Sequence, residues 1–151
     1  MNNENTTQDD IFNDANEVKV EYNNIKFGKI GDYFKGTLTD NTRQIVNNLS
    51  PKKEMQTIFE FKAHAGSFHD IVKKQIAATP TAIEKGEFWS YITSKPAIIQ
   101  QMKNAKIGQV VGLRFAEIKK ATQPGFDDTK IIKVFLGAMD PEYQGETAQD
   151  K

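Results

Sequence analysis

The aromatic and basic side chains of this chain have types and spacings that suit stacking on planar groups and binding of negative charge. Residues 87–93 (EFWSYIT) have the alternation of a β-strand, which puts Trp89 and Tyr91 on one face. That face points outward if Phe88 and Ile92 fill the core, and its rings then form a platform for stacking on planar bases. The alternative keeps Trp89 in the core and turns Phe88 outward.

Tyrosine and lysine side chains share one face of an earlier strand candidate, residues 32–40 (DYFKGTLTD). Tyr33 and Lys35 lie opposite the apolar Phe34 in this alternation, so we expect both to point outward. Gly36 interrupts the apolar set, as a bulge or a sharp bend would. This strand therefore predicts a second aromatic and basic pair on the surface.

The next strand candidate, residues 55–64 (MQTIFEFKAH), separates phenylalanines from polar residues. Phe59 and Phe61 share a face with small or β-branched neighbours, which favours the core. Lys62 and His64 fall on the opposite face and join the candidates for ligand contact. The pattern predicts one buried and one outward face.

Later segments supply further basic candidates. Arg114 alternates with apolar residues in 109–118 (QVVGLRFAEI), so we expect it to face solvent. Phe126 lies in a polar loop, 119–129 (KKATQPGFDDT), where it is either an exposed contact or folded back onto the body. The remaining candidates, in or beside the first and last loops, are Arg43, Lys52, Lys53, Lys119, Lys120 and Lys130. We expect these two loops to lie on either side of a groove in which the ligand binds.

Catalysis has little basis in this sequence. There is no cysteine, which excludes a thiol nucleophile, a disulfide and a cysteine-based zinc site. No H-E-x-x-H, G-x-S-x-G or phosphate-binding glycine loop is present. We therefore predict no enzyme activity, no metal and no cofactor. The alternative is a nuclease that uses His64, His69 and Asp70.

The formal net charge of zero hides two opposite populations of charge. Residues 1–21 carry six acids and one lysine, and residues 140–151 carry four acids and one lysine. Residues 22–139 hold 18 Lys and Arg against 10 Asp and Glu. A basic body of this kind is typical of polyanion-binding domains. We predict disordered acidic tails at 1–21 and 140–151 and one domain at 22–139.

The chain as a whole reads as all-β with one or two short helices. A helix of roughly ten residues is predicted after Ser94, which has the residue type of an N-cap, with Pro96 in the first turn. Residues 66–86 remain open, as a short helix at 69–78 or as an elaborated loop. The five predicted strands are 32–40, 55–64, 87–93, 109–118 and 130–136.

Five strands with one helix between the third and fourth have the order of an OB-fold barrel. The resemblance becomes specific in IGDYFKGTL (30–38), in W-x-x-I (89–92) and in MKNAKIGQVVGLRF (102–115). These segments resemble small phage-type single-stranded-DNA-binding OB-fold proteins. The resemblance covers residues 26–137 and implies a five-stranded barrel whose loops flank a binding face.

The predicted function is binding of single-stranded DNA without sequence preference, in replication or recombination. The alternatives are an OB-fold protein-interaction module, such as a phage factor that captures a host protein, and an RNA-binding protein. The expected partners are single-stranded nucleic acid, replication or recombination proteins bound by the acidic tails, and further copies of the chain. The sequence has neither a secretory signal nor a run of about 20 apolar residues, so we expect a cytoplasmic protein, in the host if viral.

Overall fold

The computed structural model describes residues 23–46 and 55–145, and the account below is confined to them. These residues form nine strands and one helix. The strands are β1 (Asn23–Asn24), β2 (Tyr33–Val46), β3 (Met55–Phe68), β4 (Ile71–Val72), β5 (Gln75–Ile76), β6 (Thr81–Ile83), β7 (Phe88–Thr93), β8 (Gln109–Lys119) and β9 (Thr129–Met139). The helix, α1, spans Pro96–Met102 between β7 and β8.

Most strands belong to a single sheet, in the order β1-β7-β3-β2-β8-β9, with β6 paired to β3. β1 runs parallel to β7, and the other pairs are antiparallel. The strands β4 and β5 form a separate two-stranded hairpin. The prediction of a strand-rich fold with one or two short helices is confirmed for the described residues, which contain one helix.

The predicted count of five strands is wrong for the described residues. The five predicted segments correspond to β2, β3, β7, β8 and β9, and four short strands add to them. Three of the four lie in residues 66–86, where neither a helix nor an irregular loop forms. The reason is a tight reversal at Lys73 and Lys74, both at positive φ, which turns the chain back after two residues of β4.

The helix starts slightly later than the capping pattern predicts. Its N-cap residue is Lys95 rather than Ser94, and the Thr93 hydroxyl accepts a hydrogen bond from the backbone N–H of Lys95. Pro96 occupies the first turn as expected, because its missing N–H would have no partner there. Ile98 and Met102, four residues apart on one face of the helix, are buried.

The core lies between the inner faces of the strands. The rings of Phe34 and Phe61, on the adjacent strands β2 and β3, have centroids 5.2 Å apart. Gly36 forms a bulge against β3, and a Cβ atom at this position would lie only 2.7 Å from the Phe34 ring. The largest fully buried side chains are Phe34, Phe61, Phe115, Leu38, Leu113, Val111 and Thr37. The inner faces predicted for β2 and β3 are confirmed. The outward face predicted for β3 is wrong at Ile58 and Glu60, which are buried, and Arg43 of the longer β2 contacts Glu60.

The described strands do not close into a barrel, since β7 and β9 do not pair with each other. Helix α1 covers the free edge of β9. The Gln101 side-chain amide donates to the carbonyl of Ile132 and accepts from the N–H of Val134. At the other end, Lys130 donates to the carbonyl of Phe27, while Ile25 is bonded to β7. A helix and an N-terminal segment therefore bridge the gap.

Candidate nucleic-acid interface

The platform predicted from Trp89 and Tyr91 does not exist, because both side chains face the core. Trp89 is 8% exposed and Tyr91 9%, and burial raises the pKa of Tyr91 to about 12. The register with β3 explains their direction. Trp89 lies opposite Phe61, and Tyr91 lies opposite Phe59. Directly opposed residues share a face, so the two strands bury their aromatic side chains together.

Three other predicted residues do meet on one surface, the outer face of β2 and β8. Tyr33 is opposite Arg114 across these strands, and Lys35 is opposite Gly112. All three predicted side chains are exposed, with Tyr33 at 43%. Their shared position follows from the period of two along each strand. Residues that are distant in the sequence thus become neighbours.

The adjoining strand β9 adds two residues that the sequence argument missed. Lys133 is opposite Arg114, and Phe135 is opposite Gly112. Phe135 is 49% exposed. A usable signal was present in KIIKVFL, where positions 133 and 135 alternate with the apolar 132 and 134. We call Tyr33, Lys35, Arg114, Lys133 and Phe135 together the sheet face.

An arginine–aromatic contact lies at the centre of the sheet face. The guanidinium carbon of Arg114 lies 5.2 Å from the centroid of the Phe135 ring. This separation is within the range of a cation–π interaction. The neighbouring Gly112 has no side chain to fill the space beside Phe135, where an added Cβ atom would make an ordinary contact at 3.6 Å. Phe135 is also about half exposed, so part of its ring is accessible beside the guanidinium of Arg114.

Further along the same face, the C-terminal segment is fastened to the sheet. The Thr37 hydroxyl donates to Asp140 Oδ2 and lies 2.7 Å from His64 Nε2. Because this hydroxyl has only one proton, the Nε2–H of His64 donates to it. Thr37 is fully buried, so the cluster holds the chain and presents no accessible nucleophile.

These contacts also lower the pKa of Asp140. The Thr37 hydroxyl, the backbone N–H of Glu142 and His64 together lower the pKa of Asp140 against a smaller opposing effect of burial. The folded body thus extends beyond the predicted boundary at 139. The segment also borders a cavity of about 80 Å³ whose lining includes Lys62 and Tyr143. Lys62 and His64 therefore lie beside acidic residues and outside the sheet face.

The buried carboxylate of Asp32 joins the end of β3 to the residues that precede β2. Its oxygens accept hydrogen bonds from the backbone N–H groups of Gly28, Lys29 and His69 and contact Nδ1 of His69 at 2.8 Å. Burial alone raises the pKa of Asp32, but these hydrogen bonds outweigh it and the net shift is downward. His69 therefore has a structural partner in Asp32.

The remaining predicted site residues are dispersed. Arg43 lies in β2, which continues past its predicted end, and its guanidinium contacts Glu60 at 3.3 Å. Lys130 is half-buried, with its ammonium 5.6 Å from the Phe115 ring centroid, and belongs to the bridge described above. These two side chains serve contacts within the fold.

The last loop joins β8 to β9 beyond the sheet face, after β8 has continued for five residues past Arg114. Lys119 ends β8, and the exposed Phe126 lies in the loop that follows. Lys120 contacts Asp128 at 3.3 Å, which ties the two sides of the loop together. Lys52 and Lys53 of the first loop lie outside the described residues, so the bracketing of a groove by both loops stays a prediction.

Comparison with known proteins gives no match to this chain. No protein-family model, curated protein or solved structure matches this chain. Within residues 23–46 and 55–145, no helix has the length and apolar character required to cross a membrane. The same residues contain no group of three or more His, Asp or Glu side chains arranged to hold a metal ion.

Proposed function

We propose that this protein binds single-stranded DNA on the sheet face, without sequence preference, in replication or recombination. The framework we propose is an OB-type sheet, in which β2 lies between β3 and β8. The strand order β7-β3-β2-β8-β9, with a helix between β7 and β8, supports this assignment. It differs from a closed barrel in the bridge between β7 and β9.

The chemistry of the sheet face supports a nucleic-acid ligand. Tyr33 and Phe135 offer two exposed rings, and each base of an unpaired strand has a π-face that can stack on such a ring. Lys35, Arg114 and Lys133 place three cations among these rings, where each can contact a phosphate between stacked bases. No acid occupies any of these five positions. Stacking and charge therefore act on one surface.

The single observation that carries the proposal is the contact between Arg114 and Phe135. An arginine over an exposed ring can contact a phosphate while the ring stacks on the attached base. Lysines 119 and 120 and Phe126 would extend this surface along the last loop. Recognition of ring faces and phosphates does not depend on base identity, so the expected binding has no sequence preference.

The test is titration of labelled oligo-dT at about 50 mM and about 200 mM salt. Three phosphate contacts predict an affinity that falls roughly 20-fold between these conditions, because each contributes about 0.7 to the salt slope. The double variant R114A/F135A should bind weakly at both. Its matched control is K103A/I107A, which removes one exposed cation and one exposed apolar side chain before β8.

Four outcomes would contradict the proposal. Absence of binding at low salt would reject a nucleic-acid ligand and favour the protein-interaction alternative. Affinity that does not change with salt, or equal losses in R114A/F135A and K103A/I107A, would reject the sheet face as the site. Tighter binding to oligo-U than to oligo-dT would contradict the preference for DNA and favour RNA.

A further inference from the structure

The hairpin formed by β4 and β5 is separate from the main sheet and has an unusual tip. Lys73 and Lys74 form its two-residue turn at φ of 51° and 65°, a conformation that normally selects Asn or Gly. Beside the tip, Val72 is 58% exposed and Ile76 is 48% exposed. Two lysines in a strained turn between exposed aliphatic side chains suggest a surface that is shaped for contact.

The base of this hairpin is held firmly against the body. The ammonium group of Lys26 donates to the carbonyl of Ile71. The position that a Cβ atom would take at Gly28 is 2.3 Å from the carbonyl oxygen of His69 and 2.9 Å from Ile76, so the hairpin packs directly on glycine backbone. His69 in turn is bonded to Asp32. These contacts make the hairpin a fixed projection.

The projection is basic and lacks an exposed aromatic ring. Residues 26–29 and 69–77 contain four lysines against one acid, Asp70, and their ring-bearing residues are the buried Phe27 and the half-buried His69. Such a surface can bind phosphates, but it has nothing on which an unpaired base can stack. The hairpin surface can therefore bind phosphates only, whereas the sheet face can bind phosphates and also stack on bases.

The hairpin and the sheet face lie at the same end of the sheet. Tyr33 is paired with Ser67, one residue before the end of β3, and the hairpin begins three residues after that end. The chain therefore enters the hairpin from the end of the sheet at which Tyr33 lies.

We propose that the β4–β5 hairpin binds the sugar–phosphate backbone of duplex DNA that adjoins the single strand on the sheet face. The preferred ligand is then a single-strand–duplex junction, an inference that rests on the proposed function. Duplex DNA has about one charge per 1.7 Å, and its paired bases offer no free ring faces. Adjacent lysines with aliphatic flanks suit that backbone.

The experiment compares three labelled ligands: oligo-dT, a blunt duplex, and a duplex with an oligo-dT tail. The unmodified protein should bind the tailed duplex more tightly than oligo-dT of the tail length. The variant K73N/K74G removes both charges and supplies the residues that the turn favours, so it should fold and lose this advantage. Its affinity for oligo-dT should be unchanged.

The salt dependence makes this test sharper. Two duplex phosphate contacts contribute about 1.8 to the salt slope, so between about 50 and about 200 mM salt the unmodified protein should lose roughly 12-fold more affinity for the tailed duplex than K73N/K74G does. K103N/K106G is the matched control, since it removes two exposed lysines that lie before the start of β8. It should keep the junction advantage.

The outcomes separate this inference from the function on which it rests. If oligo-dT binds and the tailed duplex shows no advantage, the hairpin inference is overturned while the proposed function stands. Equal losses in K73N/K74G for oligo-dT and for the tailed duplex also overturn it, because the hairpin would then contact the single strand. If oligo-dT does not bind at all, the proposed function is overturned, and the hairpin inference that rests on it is overturned with it.

Discussion

The guanidinium of Arg114 on β8 lies 5.2 Å from the ring centroid of Phe135 on β9, on the outer face of the sheet. The pairing of Gly112 with Phe135 and of Arg114 with Lys133 sets this geometry, because residues diagonal to each other across two strands lie within reach of long side chains. The exposed ring and the cation belong to different strands, so the contact depends on their register.

At high salt, removal of the Phe135 ring should weaken binding of oligo-dT more than removal of the Arg114 guanidinium does. We expect F135A to lose about 1–3 kcal/mol of binding free energy for oligo-dT, since stacking is little affected by salt. R114A should lose affinity mainly at low salt, where the phosphate contact is strongest. Fluorescence anisotropy at two salt concentrations measures both. An equal loss from I107A, an exposed apolar residue before β8, would contradict the assignment.

Trp89 should report the core and not the ligand. It is the only tryptophan of the chain, it is buried against Phe68 with ring centroids 5.4 Å apart, and its indole N–H donates to Glu87. We therefore expect weak quenching of its fluorescence by iodide and no change in this quenching when oligo-dT saturates the protein. Strong quenching of Trp89 fluorescence when oligo-dT is added would contradict the buried position and indicate that Trp89 faces outward.

The hydrogen bonds to Asp32 should make the free energy of unfolding depend on pH in acid. The pKa of Asp32 is lower in the folded state than in the unfolded chain, so its contribution is present above about pH 4 and is lost as the pH falls through the folded-state pKa. We expect D32N to lose about 2 kcal/mol at pH 7 and to depend less on pH below 4. Urea unfolding at several pH values measures this.

A suitable control for D32N is D127N, in the exposed last loop. It should leave the free energy of unfolding at pH 7 within about 0.5 kcal/mol of the unmodified protein. Equal pH profiles for the unmodified protein and D32N would show that the carboxylate contributes nothing through its charge.

The strained turn predicts a stability gain that is independent of any ligand. In K73N/K74G, both residues suit positive φ, so we expect the free energy of unfolding to rise by about 1 kcal/mol. K73A/K74A removes the same charges and keeps a Cβ atom at both positions, and it should give no comparable gain. Urea unfolding of both variants tests the turn. A gain in K73A/K74A of the same size would assign the effect to charge repulsion.

The sequence was sufficient wherever the two faces of a strand differ clearly in polarity. In β2, Phe34 and Leu38 alternate with polar residues, and in β3 Phe59 and Phe61 enter the core as the pattern predicts, although Glu60 between them is buried as well. Burial of apolar surface dominates the choice of face, so such patterns have one favourable orientation. The strand-rich character, the helix after β7 and the outward Arg114 follow from the same rule.

The pattern is not decisive in β7, where both faces include large apolar side chains. Phe88 and Ile92 compete with Trp89 and Tyr91 for the core, and the local alternation favours neither pair. The pairing with β3 decides the matter, because Trp89 and Tyr91 lie opposite Phe61 and Phe59. Such a register comes from contacts between segments that are far apart in the chain.

Local patterns in the sequence thus determined the strands β2, β3, β7, β8 and β9 and, in β2 and β3, which aromatic side chains enter the core. Only the tertiary structure decided that Tyr33, Arg114 and Phe135 share a surface, since three strands must pair in one register to bring them together. It alone also revealed the hairpin at Lys73 and Lys74, whose backbone conformation opposes the local preference of lysine. Alternation is a property of neighbouring residues, whereas a binding surface is assembled by long-range pairing.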